Sequence, residues 1–250
     1  MNLPAKRKIV IVGGAGRLGK VFVKECKSND MDVYVLDICD RKKWDSLKID
    51  CNLFFQINQD SDSLSTAIKQ IKKHALTIDC VINTSYPKNQ NYGKPFFKIS
   101  SNDFNENIVL HVGGYFNVMQ KFSEFFLHQG YGNIINIASI QGVLAPKFEH
   151  YSGTKMTSPV EYSASKSAII SMSKYLAKFL SGKNIRVNCI SPGGIKDKQP
   201  QMFIDKYALS CTSKGLLNPE DLIGTLLFLI SDQSKFINGQ NIIVDDGWSL

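Results

Sequence analysis

The chain's 250 residues are 43% hydrophobic and 21% charged, a balance typical of globular proteins that excludes a largely disordered chain. Its 30 lysines and arginines against 22 acidic residues give a net charge of +8. The basic residues are scattered without a run of five, which favours a solvated surface over a nucleic-acid footprint. A mild attraction for an anionic ligand is a further interpretation of this charge.

Cysteine spacing and the apolar segments indicate the cell compartment. The six cysteines form no CxxC pair and no cluster with histidine at metal-ligand spacing, so we expect free thiols and no metal site. Residues 1–8 are polar and basic, and the apolar run 9–12 that follows is too short for a signal-peptide core. The later apolar stretch 226–230 is too short to cross a bilayer. We therefore expect a cytoplasmic protein with no membrane partner.

Short β-branched runs alternate with longer amphipathic segments along the chain. The predicted strands are residues 9–12, 33–36, 53–57, 80–83, 133–137, 186–190 and 241–244. The predicted helices run from the turn after residue 12 to about 27, then over 64–74, about 104–129, about 160–180 and 219–231. Nearly continuous hydrophobic strands are typical of a parallel sheet with helices on both faces. The repeated β-α-β order predicts one doubly wound α/β domain of Rossmann type over residues 1–250.

A glycine-rich turn joins the first strand to the first helix. Residues 13–19, GGAGRLG, contain both GxGxxG and GxxGxxG. Small residues there let the chain turn tightly and bring backbone N–H groups close to a pyrophosphate. Glycine clusters also make ordinary turns, but this position between strand and helix predicts a dinucleotide site. The predicted contacts from the turn are Gly13, Gly14, Gly16, Arg17, Leu18 and Gly19.

The second strand leads into an acidic residue, Asp37, which lies 18 residues beyond Gly19. A carboxylate at this place accepts hydrogen bonds from ribose hydroxyls and repels a 2′-phosphate, which favours NAD over NADP. Two alternatives stay open. Asp37 could simply open a turn, or one of the basic residues at positions 41–43 could meet a phosphate.

Tyr162 and Lys166 are spaced to share one face of the helix predicted to begin near residue 160. An ammonium beside a phenol favours the phenolate and is expected to lower the tyrosine pKa toward neutrality. A phenol with such a pKa serves as a general acid or base toward a carbonyl or alcohol oxygen.

The order of several fragments resembles the short-chain dehydrogenase/reductase superfamily over nearly the whole chain. They are the glycine turn, Asp37, Asn83, the segments 135–139, 162–166 and 186–188, then 191–194, 238–240 and 246–247. The resemblance implies a mostly parallel sheet of about seven strands in the order 3-2-1-4-5-6-7. It also implies that Tyr162 exchanges the proton, that Lys166 holds the nicotinamide ribose and that Ser139 hydrogen-bonds the reacting oxygen.

A narrower resemblance is to flagellin-modification oxidoreductases, which are associated with legionaminic-type sugars. Residues 83–87, 113–116 and 244–247 carry it. The wider family implies a homodimer or homotetramer in which the tyrosine-bearing helix and its neighbour pack across a two-fold axis.

A second YxxxK sequence, formed by Tyr151 and Lys155, competes with the first. It lies 12 residues after Ser139, closer to the usual family spacing than Tyr162, which lies 23 residues after it. Gly153 and Pro159 argue against a continuous helix through Tyr151. We therefore choose Tyr162 and interpret residues 147–159 as a loop insertion that borders the substrate, the alternative being a plain surface loop.

Several positions depart from the family pattern. His111 replaces an asparagine that helps to place a proton-relay water, and either a relay histidine that titrates near pH 7 or an ordinary packed histidine fits this position. Asn83 is expected to brace the adenosine side, although Ser85 and Tyr86 replace smaller residues of the family there. Asp197 stands where the family often has a threonine that touches the cofactor, so no such contact is carried over.

The family pattern also places Pro192, Gly193 and Ile195 against the cofactor and a mobile substrate lid over residues 196–216. Lys88 and Lys147 follow strand ends on the ligand-binding side of the sheet. Either could bind a substrate phosphate or carboxylate, and the solvated-lysine interpretation is favoured over this one.

Together these features predict an NAD-dependent enzyme that interconverts a ketone and a secondary alcohol on a sugar or sugar phosphate. Surface-glycan or flagellin-glycan biosynthesis is the expected setting. The alternative is a catalytically impaired, cofactor-binding homologue that acts through protein contacts, which His111 and the altered loop after the fourth strand would explain.

Overall fold

One parallel sheet organises the part of the chain that the structure, a computed structural model, describes, namely residues 6–58 and 60–250. Residues 1–5 of the predicted basic leading segment lie outside this range. The strands are β1 Lys8–Val12, β2 Asp32–Asp37, β3 Leu53–Gln56, β4 Cys80–Asn83, β5 Gly132–Ile137, β6 Ile185–Pro192 and β7 Asn241–Val244. Their order is β3-β2-β1-β4-β5-β6-β7 with every named pair parallel, which confirms the predicted fold.

Eight α-helices are present in the described residues, and three of them begin at a polar N-cap residue. They are α1 Arg17–Ser28, α2 Arg41–Ser46, α3 Ser61–His74, α4 Ser101–Ile108, α5 Gly114–Gln129, α6 Val160–Phe179, α7 Gln201–Ala208 and α8 Ile223–Ile230. Asp40, Asp60 and Ser100 each accept a backbone N–H of the first turn that follows. Such N-caps satisfy donors that the helix itself leaves unpaired.

The structure corrects the helix prediction at three places. The polar segment after β2 holds α2, which begins after Asp40, and the predicted lid holds α7, which begins after Pro200. Both helices are too short to show a long apolar period. The single helix predicted over about 104–129 begins at Ser101. It contains one π-helical turn, Val109–Gly113, between α4 and α5. Such turns insert an extra residue into the helix and redirect the side chains around it.

Two hydrophobic cores cover the two faces of the sheet. Val10 and Val12 of β1 point into the core beneath α3, α5 and α6, whereas Ile9 and Ile11 point into the core beneath α1 and α8. All four side chains are fully buried. Because both faces of the sheet are buried, the strand sequences are continuous apolar runs, although their side chains still alternate between the two faces.

A third, smaller group of buried side chains lies beyond the carboxyl ends of the strands. We call it the lid cluster, and it consists of Ile140, Phe203, Tyr207, Leu216 and Trp248. It ties the segment after Ser139 to α7 and to the C-terminal end of the chain. Residues 147–159 pack against it through Tyr151 and Met156.

All six cysteines are free. Within residues 6–58 and 60–250, no helix has both the length and the apolar character that a membrane span requires.

Candidate active site

The glycine turn is tightly packed against its surroundings. Gly13 has a φ of +81°, a backbone conformation that favours glycine, and a Cβ there would lie 2.8 Å from the Ser85 amide nitrogen. A Cβ on Gly19 would lie 2.1 Å from the Gly13 carbonyl oxygen, and one on Gly14 would lie 2.5 Å from Val35. The glycines therefore allow α1 to approach β1 and β4 closely, as the motif predicts.

Asp37 at the end of β2 anchors this turn. Its carboxylate accepts the backbone N–H of Ala15 at 2.8 Å and that of Cys39 at 3.0 Å. The side chain is buried yet reaches the wall of the large cavity described below. A carboxylate has about four acceptor positions, so Asp37 can accept further hydrogen bonds from a ligand.

The three basic residues after β2 separate in the structure. Arg41 pairs with Asp45 at 2.8 Å, and its guanidinium lies over the Phe54 ring. Of residues 41–43, Lys43 alone contributes to the cavity wall. Lys43 is thus the basic side chain of this group that could meet a phosphate near Asp37.

One cavity of about 980 Å³ runs along the carboxyl ends of the strands. Ten of the predicted cofactor residues line it: Gly13, Gly16, Arg17, Leu18, Asp37, Tyr162, Lys166, Pro192, Gly193 and Ile195. Gly14, Gly19 and Asn83 lie behind its wall. Asn83 is fully buried and accepts the Ser85 hydroxyl at 2.7 Å and the Ser85 backbone N–H at 3.1 Å, so it shapes the loop after β4.

Ser139, Tyr162 and Lys166 converge on the same cavity. Ser139 follows β5, while Tyr162 and Lys166 lie on the first turns of α6. Lys166 is buried and donates to the Ile137 carbonyl oxygen at 2.8 Å, and its Nζ lies 5.6 Å from the centre of the Tyr162 ring. The amine and the phenol thus share one face of α6, as their spacing predicts.

The pKa shifts differ from the prediction. Burial raises the pKa of Tyr162, and a hydrogen bond with the Ser139 side chain only partly offsets this. Burial lowers the pKa of Lys166 to about 7. The expected fall in the tyrosine pKa is therefore wrong for this structure, because removing both groups from water disfavours their charged forms more than proximity stabilises them.

The competing pair Tyr151 and Lys155 has a different geometry. Tyr151 ends a short 3₁₀ turn, Phe148–Tyr151, and Lys155 is exposed and outside the cavity wall. No helix carries the two residues on one face, so the phenol–amine arrangement is formed by Tyr162 and Lys166. Tyr151 itself does line the cavity.

His111 lies in the π-helical turn, behind the cavity wall. Its ring is 2% exposed and meets the Tyr86 ring edge-on at 5.2 Å between centres. No described residue hydrogen-bonds its Nε2. Burial and then the Lys166 charge lower the His111 pKa to about 2, so the ring is neutral at physiological pH. The interpretation that it titrates near pH 7 is wrong, because the apolar site excludes the imidazolium.

The structure does not bring Lys88 or Lys147 to the cavity wall. Lys88 lies over the Tyr86 ring at 5.4 Å. Lys147 donates to the Trp248 carbonyl oxygen at 3.0 Å, and its Nζ lies 4.8 Å from the centre of the Trp248 ring. Cation–π contacts with Tyr86 and Trp248 thus hold the two amines at positions outside the cavity.

Sequence reasoning missed several residues of the cavity wall, among them Tyr86, Gln141 and Trp248. Tyr86 meets the Tyr162 ring edge-on at 5.5 Å. Its position just beyond a strand end is a signal that could have marked it. No local signal marks Trp248, since only the packing of the lid cluster brings the C-terminal segment to the cavity.

Comparisons with known proteins bear on this site. A family model described as Enoyl-(Acyl carrier protein) reductase matches residues 14–249. Post-translational flagellin modification protein A of Campylobacter coli is 41% identical, with 98% of this chain and 99% of that protein covered. A 3-oxoacyl-[acyl-carrier-protein] reductase of Thermotoga maritima is 29% identical over 90% of this chain and 81% of that protein.

Solved structures of dehydrogenases are also similar to this chain. A short-chain dehydrogenase from Leptospira borgpetersenii with bound NAD⁺ superposes with a TM-score of 0.86 at 28% identity, covering 99% of this chain and 94% of that one. A 4-hydroxyisoleucine dehydrogenase complexed with NADH gives 0.80 at 26% identity, covering 97% and 99%. Since both the family model and the Campylobacter relative span nearly all of the chain, the protein belongs to the short-chain dehydrogenase/reductase family of oxidoreductases.

Proposed function

We propose that this protein is an NAD(H)-dependent oxidoreductase that interconverts a ketone and a secondary alcohol on a sugar-type metabolite. One observation carries the proposal. Ser139, Tyr162 and Lys166 line the same cavity as the glycine turn and Asp37, so proton-transfer groups and a dinucleotide cradle face one space.

The residues present fit a dinucleotide. The cavity volume of about 980 Å³ is at the upper end of ordinary ligand sites. A Cβ on Gly16 would meet only the Gly13 carbonyl oxygen, at 3.1 Å, so the turn leaves open space for a pyrophosphate. Asp37 would accept the ribose hydroxyls, which favours NAD, and two similar proteins were crystallised with NAD⁺ and NADH.

The chain's own residues supply the proton chemistry. The hydride transfer would be supplied by a bound nicotinamide. In the reductive direction Tyr162 gives its phenol proton to the carbonyl oxygen, while Ser139 donates a hydrogen bond to that oxygen. Lys166, with a pKa lowered by burial to about 7, exchanges protons close to neutral pH and would also hold the nicotinamide ribose.

The substrate class is supported by the Campylobacter coli relative, whose name states flagellin modification. We infer a sugar or sugar phosphate used in flagellin-glycan or surface-glycan biosynthesis, in the cytoplasm. We also infer a homodimer or homotetramer, which exposed apolar side chains on α5 and α6 support; examples are Phe116, Tyr175 and Phe179.

The test is a screen of nucleotide-linked and phosphorylated sugars for a change in NAD(H) absorbance, together with titration of NADH into the protein. Tyr162→Phe should lower kcat about 10³-fold while NADH still binds. Tyr131→Phe serves as a matched control, because Tyr131 lies in the turn before β5, away from the cavity. Undiminished turnover in Tyr162→Phe, or absence of NADH binding, would refute the proposal.

A second function is favoured by one observation, the neutral, buried His111 with an unpartnered Nε2 at the family's relay position. In that case the protein binds NADH but acts through protein contacts. NADH binding without Tyr162-dependent turnover of any sugar in the screen would support this alternative.

A further inference from the structure

A second phenol faces the cavity that holds Tyr162. Tyr151 lies at the end of the short turn in the insertion, half-buried, with its side chain on the cavity wall. Burial raises the pKa of Tyr162, and the hydrogen bond with Ser139 lowers it. The nearby Tyr151 phenol raises this pKa further. The two phenols are therefore close enough to interact electrostatically.

The backbone and ring of Tyr151 are held in place from two sides. Its ring packs against Phe203 of α7 with 5.1 Å between centres. Its carbonyl oxygen accepts the Thr154 hydroxyl at 2.8 Å and the Thr154 backbone N–H at 3.1 Å. The hydroxyl of Tyr151 thus has a defined position on the wall.

Gln141 connects this hydroxyl to Ser139. The Gln141 backbone N–H donates to the Ser139 hydroxyl oxygen at 3.2 Å, and its side-chain Nε2 donates to the Tyr151 hydroxyl oxygen at 3.1 Å. The Gln141 Oε1 accepts the Ser158 hydroxyl at 3.0 Å. We call Gln141, Tyr151 and Ser158 the polar wall; all three line the cavity.

The chemistry of the polar wall matches neutral hydroxyl groups. An amide and two hydroxyls both donate and accept, which is what an alcohol requires of its partner. Because the Tyr151 oxygen already accepts from Gln141, its own O–H is left to donate toward the cavity. The lid cluster beside the wall adds apolar ring surface from Phe203 and Trp248.

We propose that the polar wall recognises a substrate hydroxyl close to the carbon on which Ser139 and Tyr162 act. It thereby selects hydroxylated ketones over simple ones. This inference rests on the proposed function and assigns the substrate specificity of the same site to Gln141, Tyr151 and Ser158. Tyr151 is then a specificity-determining residue.

The test uses two probes that differ by one hydroxyl, 2-hydroxycyclohexanone and cyclohexanone, with NADH consumption as the readout. The unmodified protein should prefer the hydroxylated ketone. Tyr151→Phe keeps the ring and its packing, and should lower kcat/KM for 2-hydroxycyclohexanone about tenfold, the value of one hydrogen bond to a ligand. It should lower kcat/KM for cyclohexanone much less. Ser158→Ala should show the same pattern more weakly, and Tyr131→Phe should show neither change.

An equal fall with both ketones in Tyr151→Phe, or no fall with either, would overturn the inference. If neither ketone turns over, calorimetric titration of each into the NADH-saturated protein decides the matter. Preference for the hydroxylated ketone that disappears in Tyr151→Phe supports the polar wall, and equal binding of the two ketones refutes it. Lack of NADH binding or of Tyr162-dependent turnover is a failure of the proposed function instead, and these measurements separate the two.

Discussion

The two halves of the cavity are built from different parts of the chain. The cofactor half, formed by residues 13–19 and Asp37, comes from the first two strands and the turn between β1 and α1. Its shape is set by backbone contacts, such as the 2.1 Å that would separate a Gly19 Cβ from the Gly13 oxygen. The backbone conformation and close contacts of this turn therefore allow few residue types other than glycine at these positions.

The proposed substrate half is formed by side chains from distant segments: Gln141, residues 147–159, α7 and Trp248. Here packing between aromatic rings replaces backbone constraint, as between Tyr207 and Trp248, whose rings stack at 5.9 Å. Many combinations of side chains can fill such a space. The comparison indicates that a cofactor cradle tolerates little change, whereas a substrate pocket can be remodelled by substitution.

The largest expected effect tests the rigid half. Gly19→Ala places a methyl group against the Gly13 backbone, so we expect the free energy of unfolding to fall by about 3 kcal/mol and NADH affinity to fall at least tenfold. Gly224→Ala on α8, where a Cβ meets nothing within 4 Å, is the matched control and should stabilise the protein by up to about 1 kcal/mol. Chemical denaturation and NADH titration measure both. Equal stability of the two variants would contradict the comparison.

A second prediction concerns coenzyme choice in the same half. Asp37→Ser removes the charge that repels a 2′-phosphate and leaves Lys43 on the cavity wall, so we expect the NADH-to-NADPH affinity ratio to fall by roughly tenfold or more. Asp45→Asn removes the same charge outside the cavity and should leave the ratio unchanged. Coenzyme titrations measure the effect, and an unaltered ratio in Asp37→Ser would show that the carboxylate does not select NAD.

A third prediction concerns His111, behind the wall between the two halves. Its pKa falls from 6.5 to about 2 on folding, so below pH 6.5 the unfolded chain takes up a proton that the folded protein does not. The free energy of unfolding therefore falls as the pH drops below 6.5, and at pH 5 His111 lowers it by about 2 kcal/mol. His111→Asn should lose less stability than the unmodified protein between pH 7 and pH 5.

Denaturation curves at the two pH values measure this difference. The pH–rate profile gives an independent check: Lys166, with a pKa of about 7, accounts for an inflection near neutral pH, and this inflection should persist unchanged in His111→Asn because the neutral ring adds none. Identical pH dependence of stability in the two proteins would contradict the burial argument.

The smallest expected effect lies where the halves meet. Arg17 of the glycine turn forms an ion pair with Asp197 at the start of the predicted lid and donates to the Lys196 carbonyl oxygen at 2.6 Å. Both side chains are partly exposed, so the pair contributes less than about 1 kcal/mol. Asp197→Asn frees Arg17 for an anion and removes a negative charge from the cavity wall, so we expect NADH affinity to rise about threefold at low salt.

The control is Asp205→Asn, which removes the same charge from an exposed position of α7 outside the cavity. It should not alter NADH affinity. A gain that persists undiminished at high salt would argue against an electrostatic origin.

Prediction from sequence succeeded where the constraint was local. The apolar runs marked the seven strands, and the glycine turn marked the place where a helix meets the sheet closely. The i,i+4 spacing correctly placed Tyr162 and Lys166 on one helix face. The short helices α2 and α7 were missed, because each is too short to show an apolar period.

By itself, the sequence determined the fold class, the strand order through the family resemblance, and the face of α6 that carries the phenol and the amine. These follow from periodicity and from backbone positions that few residue types can occupy. Only the tertiary structure decided the direction of the pKa shifts at Tyr162 and His111, and the meeting of Gln141, Tyr151 and Trp248 on one wall. Desolvation and long-range packing depend on every neighbour in space, and no local pattern in the chain encodes them.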